Sequence, residues 1–232
     1  MGSDDLFKKR KAQTAAAIAR QQQQRPEGKR FLIVCEGMKT EPYYFEELCK
    51  AHQLRTLRVR IAPGAEGSSP DRVLDYANKL FDEDAQPGPD RFDQVFCVID
   101  RDQHESYQAT IRRITTLKAE GKPFLAIPSV PCFEYWLLLH STYSRHPFHA
   151  AGKQSVCDAV ICELRKEPGF GAYAKAQRNT YAILKDRIET AIKHAQWAEA
   201  DAEKTGEDNP TTSVHHLVRE LQQLAKTHGR KG

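Results

Sequence analysis

The chain has 232 residues, 40% hydrophobic and 28% charged, a balance that suits a globular protein with one sizeable core or two small domains. No apolar run approaches the roughly 20 residues of a membrane helix, and the start MGSDDLFKKRKAQ has no apolar h-region, so a membrane or secretory protein is not expected. Net charge is +4, yet the first 30 residues alone carry +5, which leaves −1 for the rest. The basicity therefore belongs to an N-terminal arm, read either as a solubilising tail or as a means of attracting nucleic-acid phosphates.

The six cysteines include no CxxC pair, and four of them lie inside apolar runs. This argues for reduced thiols in a cytoplasmic protein, against a disulfide framework and against structural zinc.

The arm, residues 1–28, contains a Gln run and ends at Pro26 and Gly28. From there the chain alternates. Phe31 to Cys35 (FLIVC) is continuously apolar, as in a strand buried on both faces. Thr40-Glu41-Pro42 starts a helix that runs to about Leu54, and Leu57 to Ala62 alternates as a second strand. A loop with Pro63, Gly64, Gly67, Ser68 and Ser69 precedes a helix over Asp71 to Asp84, which presents Val73, Leu74, Ala77, Leu80 and Phe81 on one face. Pro87-Gly88-Pro89 stops it.

Asp93 to Ile99 is a third strand, Glu105 to Glu120 a helix, Pro123 to Ile127 a fourth strand, and Pro131 to His140 a further helix. This alternation implies an α/β fold, a four-stranded parallel sheet of Rossmann-like type with helices on both faces. Beyond it, helices are expected over Ser155 to Lys166, Asn179 to Glu203 and Thr212 to Lys226, the last capped by Thr211 or Thr212. The expected organisation is an arm (1–28), a catalytic core (29–145) and a helical C-terminal extension packed on it (146–232).

Ligands of open parallel sheets bind outside the carboxyl ends of the strands. Two strands here end in acids: FLIVC-Glu36-Gly37 and VFCVI-Asp100-Arg101-Asp102. Period-two geometry lets Asp100 and Asp102 face the same side, and Gly37 permits close approach to the backbone. Three converging carboxylates repel unless a hard divalent cation compensates, so Mg²⁺ or Mn²⁺ is expected on Glu36, Asp100 and Asp102. Gly37, Lys39 and Thr40 lie at a helix start suited to phosphate. Glu134, in the aromatic Cys132-Phe133-Glu134-Tyr135-Trp136, is either a helix N-terminal acid or a further metal ligand or base. Arg101 is expected to point away and pair with an acid. His104 is a nearby histidine of open role; His215-His216 suggest a metal but have no partners at ligand spacing, so they are expected at the surface of the last helix; Trp136 and Trp197 are expected in a core or interface.

The motifs VCEGMKTEPYYFEEL, VIDRDQH, SVPCFEYWLLLH, Tyr173-Ala174-Lys175 and Asn209-Pro210-Thr211-Thr212 resemble the RloB (AbiLii-type) family of bacterial phage-defence proteins. The acid placement also resembles the Toprim domain of topoisomerases, primases and overcoming-lysogenization-defect nucleases. The resemblance implies a Toprim-like, Mg²⁺- or Mn²⁺-dependent nuclease that cleaves DNA or RNA in antiphage defence by abortive infection. It implies Glu36 as general acid/base, Asp100 and Asp102 as the metal pair, Glu134 as an additional acid, and Lys175 as a catalytic phosphate contact. It further implies an AAA/ABC-type ATPase partner. The alternative is a regulatory subunit that binds nucleic acid or the ATPase without cutting. DNA against RNA, one metal against two, and oligomeric state stay open.

Overall fold

A computed structural model describes residues 29–54, 57–61, 69–83 and 92–228. The expected arm, most of the loop after the second strand, and Pro87-Gly88-Pro89 lie outside these residues.

The element order is β1 (Phe31–Cys35), α1 (Thr40–Ala51), β2 (Leu57–Ile61), α2 (Pro70–Glu83), β3 (Gln94–Asp100), α3 (Tyr107–Ala119), β4 (Phe124–Val130), α4 (Glu134–Leu138), α5 (Val156–Leu164), α6 (Thr180–Leu184), α7 (Ile188–Thr205), β5 (Thr211–Thr212) and α8 (Val214–His228). The sheet order is β2-β1-β3-β4-β5. The first four strands are parallel, in agreement with the expected α/β sheet. To these four the structure adds a two-residue edge strand, Thr211–Thr212, antiparallel to β4. Two residues are too few to show a periodicity. Thr212, expected at the start of the last helix, lies instead in β5 two residues before it, and its Oγ1 accepts from Val214 N at 3.3 Å in the turn between them.

Period-two alternation splits the strands between two apolar layers. Phe31, Ile33, Cys35, Phe96, Val98 and Ile127 face the layer built with α1 and the C-terminal helices. Leu32, Val34, Val95, Cys97, Ile99 and Phe124 face α2 and α3. The five β1 side chains are at most 1% exposed. Each fully buried Val, Leu, Ile or Phe contributes about 1.5–3 kcal/mol, so the strand ends that carry the acids rest on a rigid floor.

The helices follow their apolar stripes. α2 buries Val73, Leu74, Ala77 and Phe81, as its spacing predicts. The expected helix over Asn179 to Glu203 is interrupted by a tighter 3-10 turn at Lys185–Arg187, where no side chain is buried and Arg187 Nη1 reaches Ser141 Oγ at 2.6 Å. Gly206, at φ 77°, ends α7 in the left-handed conformation that favours glycine. Trp136 is fully buried, as a core aromatic, whereas Trp197 is 53% exposed and has ring contacts with Tyr143 and His194, so it is not a core residue. His215 is also corrected: it is fully buried against α7 and not at the surface. No helix among the described residues is long and apolar enough to cross a membrane.

Candidate functional site

β1 leads to β2 on one side of the sheet and is paired with β3 on the other, so the chain reverses its order between β1 and β3. A crevice opens there beyond the strand carboxyl ends, the position where open α/β sheets bind ligands. A cleft of about 420 Å³ occupies it, lined by Glu36, Gly37, Lys39, Thr40, Glu41, Asp100, Asp102, His104, Glu134, Cys157 and Lys175, among others. It thus brings together every residue singled out from the sequence as a ligand, acid/base or phosphate contact.

Each side chain is placed by a strand or helix end. Glu36 follows β1, and its N–H donates to Val98 O of β3 at 3.1 Å, which holds the two acidic strand ends together. Glu36 Oε2 accepts from Asp100 N at 3.0 Å. Asp100 ends β3. Asp102 lies in the turn beyond it at φ 32°, with its N–H donating to Pro131 O at 3.0 Å. Arg101, between them, points out and pairs with Asp208, as expected. Glu134 begins α4 and accepts from Tyr173 OH at 3.3 Å. Lys175 comes from the loop between α5 and α6, and Ala176 N donates to Thr40 Oγ1 at 3.1 Å, which pins that loop to α1.

Two residues in the cleft exceed the sequence reading. Glu41 was read only as a helix-start acid. It is buried, and its Oε1 accepts from Gly37 N at 3.2 Å. Side chains on a helix lean toward its N-terminus, so an acid in the first turn of α1 leans back to the end of β1; that was the available signal. His104, left without a role, has its Nε2 2.8 Å from Glu36 Oε1.

At Gly37 an added side chain would displace the end of the Glu41 side chain. A Cβ there would meet Glu41 Oε2 at 1.9 Å. Its N–H, one of the groups expected to face phosphate, is engaged by Glu41. Lys39 is exposed at the rim, with its charge open to solvent.

The electrostatics are those of a crowded acid cluster. Burial, opposed by the hydrogen bond from Asp100 N and reinforced by Glu41 and Asp102, pushes Glu36 from 4.5 up to about 8. Burial and then Glu41, Glu134 and Glu36 raise Asp100 well above the usual carboxylate range. Burial and then Glu134 raise Glu41. Burial works to lower Lys175, but Glu134 and the other negative groups overcome it and hold the ammonium above its ordinary value.

One buried oxygen in this cluster, Asp100 Oδ1, has no hydrogen-bond partner. An orphaned carboxylate oxygen amid like charge is costly, and an all-oxygen set of this kind fits a hard divalent cation. Among the described residues, no three of the cleft acids bring ligand oxygens within 4.8 Å of one another.

A model of the family described as RloB-like protein matches residues 31–221, and the chain belongs to that family. No curated protein matches the chain, and no solved structure does.

Proposed function

We propose that this RloB-like chain is a Toprim-like, divalent-metal-dependent nuclease that cleaves phosphodiester bonds of DNA or RNA in antiphage defence. The observation that carries the reading is the orphaned Asp100 Oδ1, buried among Glu36, Glu41 and Glu134 at the switch point of the sheet. Asp100, Asp102, Glu36 and Glu134 are the residues to hold Mg²⁺ or Mn²⁺. When bound, the cation supplies neutralisation of the acids and polarisation of a phosphoryl oxygen.

The chain's own groups supply the rest. Without the cation Glu36 is raised to about 8 by burial and its acidic neighbours, and it is the carboxyl proposed to move the proton. His104, 2.8 Å away, is placed to exchange a proton with Glu36 Oε1 and to hold that carboxyl in one orientation. Lys175 stays protonated beside Glu134 and offers a fixed positive charge to a phosphate oxygen. Lys39 offers a second, more mobile one at the rim, and Glu41 with Gly37 sets the shape of the wall between them.

One observation favours the second reading, a non-cleaving subunit that binds nucleic acid or an AAA/ABC-type ATPase. Among the described residues no three of the cleft acids bring donor oxygens all within 4.8 Å of one another, and Glu36 is already engaged by His104. The two readings separate in one assay. Purified protein is incubated with Mg²⁺ or Mn²⁺ and plasmid, single-stranded DNA or total tRNA, with and without the ATPase. Wild type should cut at least one substrate roughly 100-fold faster than Asp100→Asn or Glu36→Gln. If wild type matches both variants on every substrate, with the ATPase present as well, the nuclease reading fails.

A further inference from the structure

Among the described residues, one group of three metal-ligating side chains has its donor atoms all within 4.8 Å of one another, and it lies outside the acidic cleft. It consists of Glu199 on α7 with His215 and His216 in the first turn of α8. Glu199 Oε2 is 3.4 Å from His215 Nε2 and 3.0 Å from His216 Nε2. Both imidazoles converge on one carboxylate oxygen. Two donors bound at about 2.0–2.1 Å to a common tetrahedral zinc stand about 3.3 Å apart, so the separations already suit a shared ion.

The hydrogen bonds settle which nitrogen is free. His215 Nδ1 is 3.2 Å from the carbonyl oxygen of Thr212, which can only accept, so Nδ1 carries the ring proton. His215 is fully buried, and its Nε2 has no hydrogen-bond partner. That nitrogen is then a bare lone pair facing a carboxylate oxygen. Two such groups repel in a buried setting, and a cation between them reverses the sign. A bond from Nδ1–H to a backbone carbonyl is also the usual means of orienting a metal-bound histidine. The other Glu199 oxygen accepts from Ser213 Oγ at 2.9 Å, which turns Oε2 toward the rings. His216 has a 58% exposed side chain, so an ion has an open route in and a solvent-facing side for a water ligand.

We infer that Glu199, His215 and His216 form a second cation site, of zinc type, that clamps α7 to the start of α8. Two imidazoles and one carboxylate select Zn²⁺ over Mg²⁺, whereas the oxygen-only cleft has the opposite preference. The cysteine pattern argues against structural zinc; this site departs from that expectation with imidazole and carboxylate ligands and no cysteine. The clamp lies beside β5, whose Thr212 Oγ1 is 2.9 Å from Ser129 Oγ of β4, so it secures the edge of the sheet as well as the two helices. The inference is independent of the nuclease reading.

The test strips the full-length protein with EDTA and titrates it with ZnCl₂, with bound zinc measured by mass spectrometry and Co²⁺ used as an absorbing surrogate. Wild type and Asp100→Asn should both retain stoichiometric zinc and show tetrahedral cobalt bands. His216→Ala should weaken zinc binding by roughly tenfold or more and lose the bands. His216→Gln keeps a hydrogen-bond donor for Glu199 and removes the imidazole, so it should fold and bind like His216→Ala. Zinc should raise the thermal midpoint of wild type and not that of either His216 variant. Undiminished zinc in both His216 variants, or loss of zinc in Asp100→Asn instead, would overturn the site.

Discussion

Replacing Glu36 with Gln should stabilise the metal-free protein at alkaline pH and leave it little changed at acid pH. Glu36 is 8% exposed, and burial lifts it from 4.5 to about 8. Below about 4.5 the carboxyl is protonated in the folded and unfolded chains alike, and its burial carries no charge. Between 4.5 and 8 the folded state holds a proton that the unfolded state has released, so stability falls as pH rises. Above about 8 the full penalty applies. At about 1.36 kcal/mol per pH unit the difference reaches about 5 kcal/mol as an upper bound. The Gln side chain keeps the shape and can accept from Asp100 N, yet carries no charge. At pH 8.5 in EDTA, Glu36→Gln should therefore exceed wild type by about 3–5 kcal/mol, a rise of roughly 10 °C in midpoint. Circular-dichroism melts of both proteins at pH 5 and pH 8.5 supply the comparison. Added Mn²⁺ at pH 8.5 should restore wild type more than the variant. The reasoning is refuted if the gap between the two proteins is the same at both pH values, because a packing change would produce that result and a buried charge would not.

Two smaller predictions probe the walls of the site. Gly37→Ala forces the Glu41 carboxylate away from its 1.9 Å clash with the new methyl group, so it should cost about 1–3 kcal/mol and lower metal affinity while far-UV circular dichroism stays native. Arg101→Ala removes a part-exposed pair with Asp208 outside the cleft, and urea denaturation should register a loss of about 0.2–1 kcal/mol with cleavage unaffected.

Much of this fold could be read before the coordinates because its strands are buried on both faces. FLIVC and QVFCVI announce themselves as continuous apolar runs, and an acid directly after such a run lies at a strand end whatever the tertiary detail. Glu36, Asp100 and Asp102 were legible for that reason. Glu41 was not, because its role depends on the angle at which α1 leaves β1, and a first-turn acid is ordinary on any helix. His104 depends on a turn geometry no pattern encodes. His215 and His216 look like a polar pair on a surface helix until Glu199, 16 residues earlier than His215, is folded against them. β5 was hidden by its length, and the 3-10 turn after α6 interrupts a stripe that reads as continuous.

The cleft draws its acids from β1, β3, α1 and α4, but its buried-facing cation comes from much later in the chain. Lys175 is brought in by a loop that three contacts tie down: Ala176 N to Thr40, Tyr173 OH to Glu134, and Arg165 Nε to Tyr173 O at 2.8 Å. One of these partners, Glu134, is itself an acid of the cleft, and Thr40 also lines it. The loop is thereby held against α1 and α4, which sets the Lys175 ammonium among the acids it neutralises. The C-terminal helices are thus coupled to the candidate site electrostatically as well as by packing, and the proposed clamp on Glu199, His215 and His216 would strengthen that coupling from the far edge of the sheet.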